Sequence, residues 1–138
     1  MACVLIASYR HGRGPSALRT RTEIHEFLAA LVAAGWEFSA AAVYSVDETA
    51  DDEPGHELIV GVNNATQSGG LRYAGSDGDW YSKGAQVSDH GIQYVYFGTG
   101  HDFPADSEIP LTDVERAMGE LLTNGGLRPE CVIWQPAD

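Results

Sequence analysis

The chain has 138 residues and is strongly acidic, with 20 Asp and Glu against eight Lys and Arg and a formal net charge of -12. That length fits one domain over residues 1–138, and 43% hydrophobic with 20% charged residues is typical of a folded protein. The charge argues against nucleic acid and anionic membranes as partners, since both are normally bound through Lys and Arg. We therefore expect a basic protein partner, or a surplus of acid that serves solubility alone.

The N-terminal segment and the cysteines indicate a cytoplasmic protein. Residues 1–8 are largely apolar but lack the basic start of a signal peptide, and no apolar run reaches membrane-spanning length. Cys3 and Cys131 lie near opposite ends of the chain without a C-x-x-C pairing, which favours a reducing compartment. We expect free thiols, with a disulfide only if the first and last strands adjoin.

The first third of the chain predicts a strand, a helix and a second strand. Residues 3–9 form an apolar run, and a loop containing Gly and Pro follows over residues 11–15. Thr20 and Glu23 have the spacing of a capping box, which predicts a helix that Gly35 ends. The apolar residues of this helix recur at helical spacing: Ile24, Phe27, Leu28, Leu31 and Val32. Residues 41–46 predict the next strand, and Trp36 before it is expected in the core.

The middle of the chain predicts short strands that pair as an antiparallel meander. An acidic loop over residues 47–55 comes first. Leu58, Val60 and Val62 then alternate as a half-buried strand, and a hairpin with Gly69 and Gly70 near its turn is expected. Three further runs predict strands over residues 71–74, 80–83 and 92–97.

A second helix is predicted after Pro110, where Thr112 and Glu115 repeat the capping-box spacing and Gly125 marks the end. Residues 131–134 predict a final strand. Strands with one helix before and one after the meander indicate an α+β fold. We expect one mostly antiparallel sheet with the two amphipathic helices packed on one of its faces.

The sequence contains no motif for a metal, a cofactor or a nucleotide. None of its five histidines is paired with another at metal-ligand spacing, and phosphate-binding glycine motifs are absent. Residues 102–110 contain Asp102, Asp106 and Glu108 beside two prolines, which predicts a stiff, displayed anionic loop. With His101 next to it, the same cluster is open to a second interpretation, an acid/base site.

The aromatic residues of the predicted strands are candidate anchors for a partner. Tyr94 and Tyr96 share one face of the strand over residues 92–97, because side chains alternate along a strand. Tyr and Trp are enriched in interface hot spots, yet they also fill cores. For Tyr94 and Tyr96 both interpretations stay open.

The ordered set of short segments from about residue 56 to 136 resembles the Imm1 family, immunity proteins of bacterial polymorphic toxin systems. The segments are residues 56–62 (HELIVGV), 70–73 (GLRY), 80–82 (WYS), 94–98 (YVYFG), 102–110 (DFPADSEIP), 125–129 (GGLRP) and 131–135 (CVIWQ). This resemblance implies a small α+β protein, without catalytic activity or a cofactor, that binds and neutralises a toxin encoded beside it. The toxin is commonly a DNA cytidine deaminase of the SCP type.

Combined with the charge, the resemblance implies an acidic and aromatic surface that blocks the substrate groove or active site of the toxin. We expect eight residues to bind the partner: Asp77, Asp79, Trp80, Tyr81, Tyr96, Asp102, Asp106 and Glu108. Two alternatives remain. One is a small-molecule enzyme that uses the His101 region, and the other is a generic acidic adaptor or nucleic-acid mimic.

Overall fold

The computed structural model describes residues 3–9, 14–49, 55–89 and 91–137. Most of the loop predicted over residues 11–15 and of the acidic loop over residues 47–55 lies outside these ranges. The helices are α1 (Arg21–Ala33) and α2 (Leu111–Asn124), and a 3₁₀ turn covers Trp36–Phe38. The strands are β1 (Cys3–Ser8), β2 (Ser16–Leu18), β3 (Ala40–Asp47), β4 (Glu57–Asn63), β5 (Ser68–Gly75), β6 (Gly78–Ser82), β7 (Ile92–Tyr96), β8 (Thr99–Phe103), β9 (Ile109–Pro110) and β10 (Trp134–Pro136).

The main sheet has the strand order β10-β6-β5-β4-β3-β1-β2, and β9 adds to one end of β5. Each of its pairings is antiparallel, as in the register of Leu58 with Tyr73 between β4 and β5. Strands β3 to β6 form the predicted meander. The prediction that residues 92–97 continue this meander is wrong, because β7 pairs with β8 in a separate hairpin.

Both helices pack on one face of the sheet, as predicted, and this side holds the larger core. The apolar stripes of α1 and α2 meet strand residues that alternate toward them. Fully buried members of this core are Leu5, Ile24, Leu31, Val43, Leu58, Val60, Leu71, Val114, Met118 and Leu121. Each such side chain contributes about 1.5–3 kcal/mol by leaving water. The hairpin β7–β8 covers part of the opposite face.

The ends of α1 and α2 follow the predicted signals unequally. Thr20 caps α1, since its Oγ1 accepts a hydrogen bond from the Glu23 backbone N–H at 3.1 Å. For α2 the predicted Thr112 cap is wrong. The helix begins at Leu111, directly after β9, and within the described chain no side chain caps its first turn. Gly125 ends α2 with φ 74°, as its position predicts.

The last strand begins at Trp134 and lies at one edge of the main sheet, beside β6. Strand β1 lies near the opposite edge, so the condition for a disulfide is not met, and Cys3 and Cys131 are free thiols. Among the described residues, no helix is long and apolar enough to cross a membrane.

Candidate functional site

The hairpin β7–β8 is seated on the sheet by Tyr94, whose ring lies over two glycines. Gly61 and Gly70 are register partners on β4 and β5, and a Cβ built on Gly61 would overlap the Tyr94 ring. Phe103 packs edge-on to Tyr94, with 4.9 Å between ring centroids, and to Tyr81, with 5.0 Å. Because Gly61 and Gly70 have no side chains, these adjacent positions of β4 and β5 form a flat platform on which the hairpin rests. Tyr94 is a core residue.

Glu108 holds the other end of Tyr94. The Tyr94 hydroxyl donates to Glu108 Oε2 at 2.7 Å, and Asn63 Nδ2 donates to the same oxygen at 3.3 Å. Burial raises the pKa of Tyr94, and the hydrogen bond to Glu108 and its charge add to that effect. The phenol therefore stays protonated and acts as a donor at physiological pH.

The prediction of a displayed anionic loop over residues 102–110 is wrong for most of that segment. Phe103 and Ser107 are buried, and Ile109 pairs with β5 as part of β9. Asp106 is half-buried, and its Oδ1 accepts a hydrogen bond from Gln135 Nε2 at 2.9 Å. Only Asp102 of the three carboxylates is exposed. Residues 102–110 look like a surface loop in sequence, but strand pairing and side-chain hydrogen bonds hold most of them against the rest of the protein.

Five exposed or half-buried residues lie around the hairpin β7–β8 and form what we call the hairpin surface: Glu57, Tyr81, Tyr96, His101 and Asp102. Tyr81 and Tyr96 both pack against the small core under the hairpin, and the Tyr81 hydroxyl donates to the Asp102 carbonyl at 3.5 Å. The rings of Tyr96 and His101 are 6.0 Å apart. Burial raises the pKa of Tyr96, and the charge of Glu57 adds to this shift. Three of the eight predicted partner residues, Tyr81, Tyr96 and Asp102, thus lie on or beside the hairpin, with the Asp102 carboxylate on its outer face beside Gln93.

Asp77, Asp79 and Trp80 are engaged within the chain. Asp79 forms an ion pair with Arg72 at 3.1 Å, on the sheet face that carries Tyr81. Asp77 forms one with Arg128 at 3.4 Å, and the guanidinium of Arg128 lies 4.1 Å from the centroid of the Trp80 ring. A basic group of any partner has to compete with these internal arginines. Trp80 points to the helix side of the sheet, since Tyr81 points to the other.

Trp36 is a surface residue, and the prediction that it lies in the core is wrong. Its side chain is 65% exposed. Gly35 has φ 93°, which few residues other than glycine adopt, and this turn directs Phe38 rather than Trp36 into the core. No pattern in the sequence separates the two aromatics, since both follow the end of α1 within five residues.

Two clefts flank Trp36. Cleft A, of about 500 Å³, lies between the 3₁₀ turn, the end of β4 and the start of β7, and Asn63, Gln93, Tyr94 and Glu108 are among its lining residues. Cleft B, of about 580 Å³, lies between the 3₁₀ turn and the β7–β8 turn, and Glu37, Val95 and Phe97 line it. Trp36 and Gln93 line both. In the described part of the chain no group of three His, Cys, Asp or Glu residues could hold a metal ion.

Comparison with known proteins decides what kind of molecule carries these features. A family model described as immunity protein Imm1 matches residues 12–136, nearly the whole chain. The chain belongs to the Imm1 family. A search of curated proteins found no match. Among solved structures, a hypothetical protein from Neisseria gonorrhoeae has a TM-score of 0.50 at 12% identity, over 92% of this chain and 89% of that one. That likeness supports the fold alone.

Membership in Imm1 makes this chain an immunity protein with a cognate toxin as its partner. Immunity proteins act by binding, so the family also favours a binding role over catalysis. The relevant features of the structure are therefore surfaces that can be covered by another protein, namely the hairpin surface and the two clefts beside Trp36.

Proposed function

We propose that this Imm1 protein neutralises a toxin with a basic substrate groove, most specifically a DNA cytidine deaminase, by covering that groove with the hairpin surface. One observation carries the proposal. Tyr81 and Tyr96 pack against the core under a hairpin that stands on the face of the sheet away from the helices, and the Asp102 carboxylate lies on the outer face of the same hairpin. This arrangement combines exposed acid with half-buried aromatic rings around one hairpin of an acidic chain.

Charge explains how such a surface recognises a deaminase toxin. An enzyme that acts on DNA binds phosphates through Lys and Arg, so its groove is basic around the catalytic pocket. A protein with net charge -12 is attracted to that groove in place of the nucleic acid. Electrostatic steering raises association rates toward about 10⁸–10⁹ M⁻¹s⁻¹, which matters when a toxin must be captured before it reaches DNA.

The tyrosines supply what charge alone does not, namely slow release. Tyr96 and Tyr81 are half-buried, so packing already orders each ring while part of it stays exposed. Ordered aromatic rings bury apolar area on binding at a low entropic cost, which is why Tyr is enriched among interface hot spots. Asp102 is held on the outer face of the hairpin by Gln93, whose Nε2 donates to Asp102 Oδ1 at 3.0 Å.

The experiment is to mix the purified protein with the product of the adjacent gene and to measure deamination of a DNA substrate. We expect activity to fall to zero at an equimolar ratio. Asp102→Lys should weaken inhibition at least tenfold, because it places a cation opposite a basic groove. Glu26→Lys, the same charge change at an exposed position on α1, is the matched control and should inhibit as the wild type does.

Two results count against the proposal. If the wild-type protein binds the toxin but deamination continues, groove blocking is wrong. If Asp102→Lys and Glu26→Lys behave alike, the hairpin surface is not the contact.

A generic acidic adaptor would bind unrelated basic proteins as tightly as it binds the toxin, so a panel of such proteins separates that alternative. A small-molecule enzyme would lose turnover in His101→Ala, but His101 lies on an exposed strand and lines neither cleft A nor cleft B.

A further inference from the structure

Cleft A is lined by the half-buried carboxylate of Glu108, whose hydrogen-bond donors are both uncharged. Glu108 Oε2 accepts hydrogen bonds from the Tyr94 hydroxyl at 2.7 Å and from Asn63 Nδ2 at 3.3 Å. The five ion pairs formed among the described residues use other carboxylates, those of Glu48, Asp77, Asp79 and Glu115. The carboxylate of Glu108 is thus oriented by two neutral donors and forms no ion pair within the described part of the chain.

Such a group is complementary to a cation that enters the cleft. Moving a charge out of water is unfavourable unless an opposite charge or good hydrogen bonds replace the solvent. Among the described residues that line cleft A, Glu108 is the one acid and no Lys or Arg is present. The remaining polar lining is neutral and includes Asn63, Asn64 and Ser39, which can accept further hydrogen bonds from a bound cation.

Trp36 gives the cleft a wall that suits a planar cation. Its indole is 65% exposed and lines both cleft A and cleft B. A guanidinium that stacks on an indole is stabilised by the cation–π interaction, and Trp is the best aromatic for it. Arginine suits this site better than lysine, because its planar guanidinium stacks on the indole while its N–H groups can donate to Glu108 Oε1, the oxygen that Tyr94 and Asn63 do not contact. The volume of about 500 Å³ lies within the range of ordinary ligand sites and accommodates one arginine side chain.

We propose that cleft A receives an arginine side chain of the toxin, with its guanidinium facing Glu108 and its plane against Trp36. The inference rests on the proposed function and adds a second contact to the hairpin surface. The two surfaces are connected through the hairpin itself: Gln93 lines cleft A and also donates a hydrogen bond to Asp102. An interface that spans both places a buried charge pair beside the exposed acid, and the pair controls dissociation more than association.

The test compares two variants of cleft A, each with a control variant elsewhere on the protein. Glu108→Gln keeps a side-chain oxygen for the Tyr94 hydroxyl and removes the charge, and Glu26→Gln is its control on α1. Trp36→Ala removes the indole, and Ile133→Ala, at a residue that is 72% exposed, is its control. Binding to the product of the adjacent gene is measured by calorimetry, and folding of each variant is checked by its thermal midpoint.

We expect Glu108→Gln and Trp36→Ala each to raise Kd at least tenfold, mainly through faster dissociation, and both controls to stay within about twofold. Alanine replacements of the toxin's arginines then identify the partner. One of them should weaken wild-type binding strongly yet have little further effect on Glu108→Gln, since the two changes remove the same contact.

The outcomes separate the two proposals. If the wild-type chain does not inhibit the toxin, the proposed function fails. If the wild type inhibits and Glu108→Gln and Trp36→Ala bind as their controls do, the function stands and the cleft proposal is overturned. If Glu108→Gln does not fold, Trp36→Ala decides alone, because an exposed side chain can be removed without loss of the core. If Trp36→Ala instead alters self-association, measured by sedimentation, a second copy occupies the cleft and the proposal is also overturned.

Discussion

Tyr94 reaches across the hairpin face of the sheet to donate a 2.7 Å hydrogen bond to Glu108, so one tyrosine ties the hairpin to the segment that precedes α2. The two residues are 14 positions apart, and β8 and the loop after it lie between them. Tyr94 therefore has two roles, since its ring fills the small core above Gly61 and Gly70 and its hydroxyl orients the carboxylate of cleft A. Folding of the hairpin and the shape of the cleft are coupled through this residue.

Replacing Tyr94 with Phe should separate these two roles. The ring stays over the glycines, but Glu108 keeps only the Asn63 donor, and the free energy of unfolding should fall by about 1.5 kcal/mol, as for a lost hydrogen bond to a charged group. Urea denaturation measures this change. Tyr96→Phe, the same chemical change on a half-buried ring of the same strand, should alter stability by less than about 0.5 kcal/mol. Equal effects of the two variants would contradict the assigned role.

Replacing Gly61 with Ala tests the platform beneath the hairpin. The new Cβ overlaps the Tyr94 ring, so the ring or the strand has to shift, and we expect a destabilisation of about 1–3 kcal/mol. Toxin binding should weaken as well, because the hairpin carries Tyr96 and Asp102. The control is Gly14→Ala, where an added Cβ meets nothing within 4 Å. A stable Gly61→Ala variant would show that the ring moves without cost.

The main sheet and its helix layer were predictable from sequence because each rests on local patterns. Alternation of Leu58, Val60 and Val62 and the helical repeat of Ile24, Leu28 and Leu31 each report the face that meets the helix-side core, although β4 is buried on its other face as well. The hairpin was not predictable in the same way. Strand β8 has no apolar alternation, with Phe103 its one buried residue, and its position depends on the contact of Tyr94 with two glycines that are distant in sequence.

The site residues divide along the same line. Asp102 is exposed, as expected for a charged residue. Glu108 and Asp106 are half-buried and form hydrogen bonds with Tyr94 and Gln135, which no local pattern in the sequence reveals. Trp36 was misplaced because an aromatic residue beside a helix end is usually buried. Its exposure follows from the φ of Gly35, a backbone property that the sequence permits but does not require.

His56 makes the stability of the domain sensitive to pH. Its Nε2 accepts a hydrogen bond from the Ser45 backbone N–H at 2.9 Å, and its ring stacks on Tyr73. Desolvation lowers its pKa below 6.5, so the folded state binds the proton less readily than the unfolded state does. The contribution to stability is therefore complete above pH 6.5 and is lost as the pH falls through the lowered pKa.

Urea denaturation between pH 8 and 5 measures this dependence of unfolding free energy on pH. The wild type should lose stability as the pH falls below about 6.5. His56→Gln, which keeps an acceptor for Ser45 but does not titrate, should lose less over the same range, even if it is less stable at pH 8. Parallel curves for the two proteins would show that His56 is not the source of the dependence.

The salt dependence of toxin capture should show where charge acts. At about 0.05 M salt, Asp102→Asn should lower the association rate several-fold relative to the wild type, since the lost charge lies within the proposed contact. At 1 M salt, where the Debye length is about 3 Å, the two proteins should associate at similar rates. Stopped-flow fluorescence with the product of the adjacent gene gives both rates.

Glu26→Gln removes one exposed charge from α1, on the other face of the sheet, and its rate should follow the wild type at both salt concentrations. If Glu26→Gln slows capture as much as Asp102→Asn does, net charge steers the encounter and the hairpin surface has no special part in it.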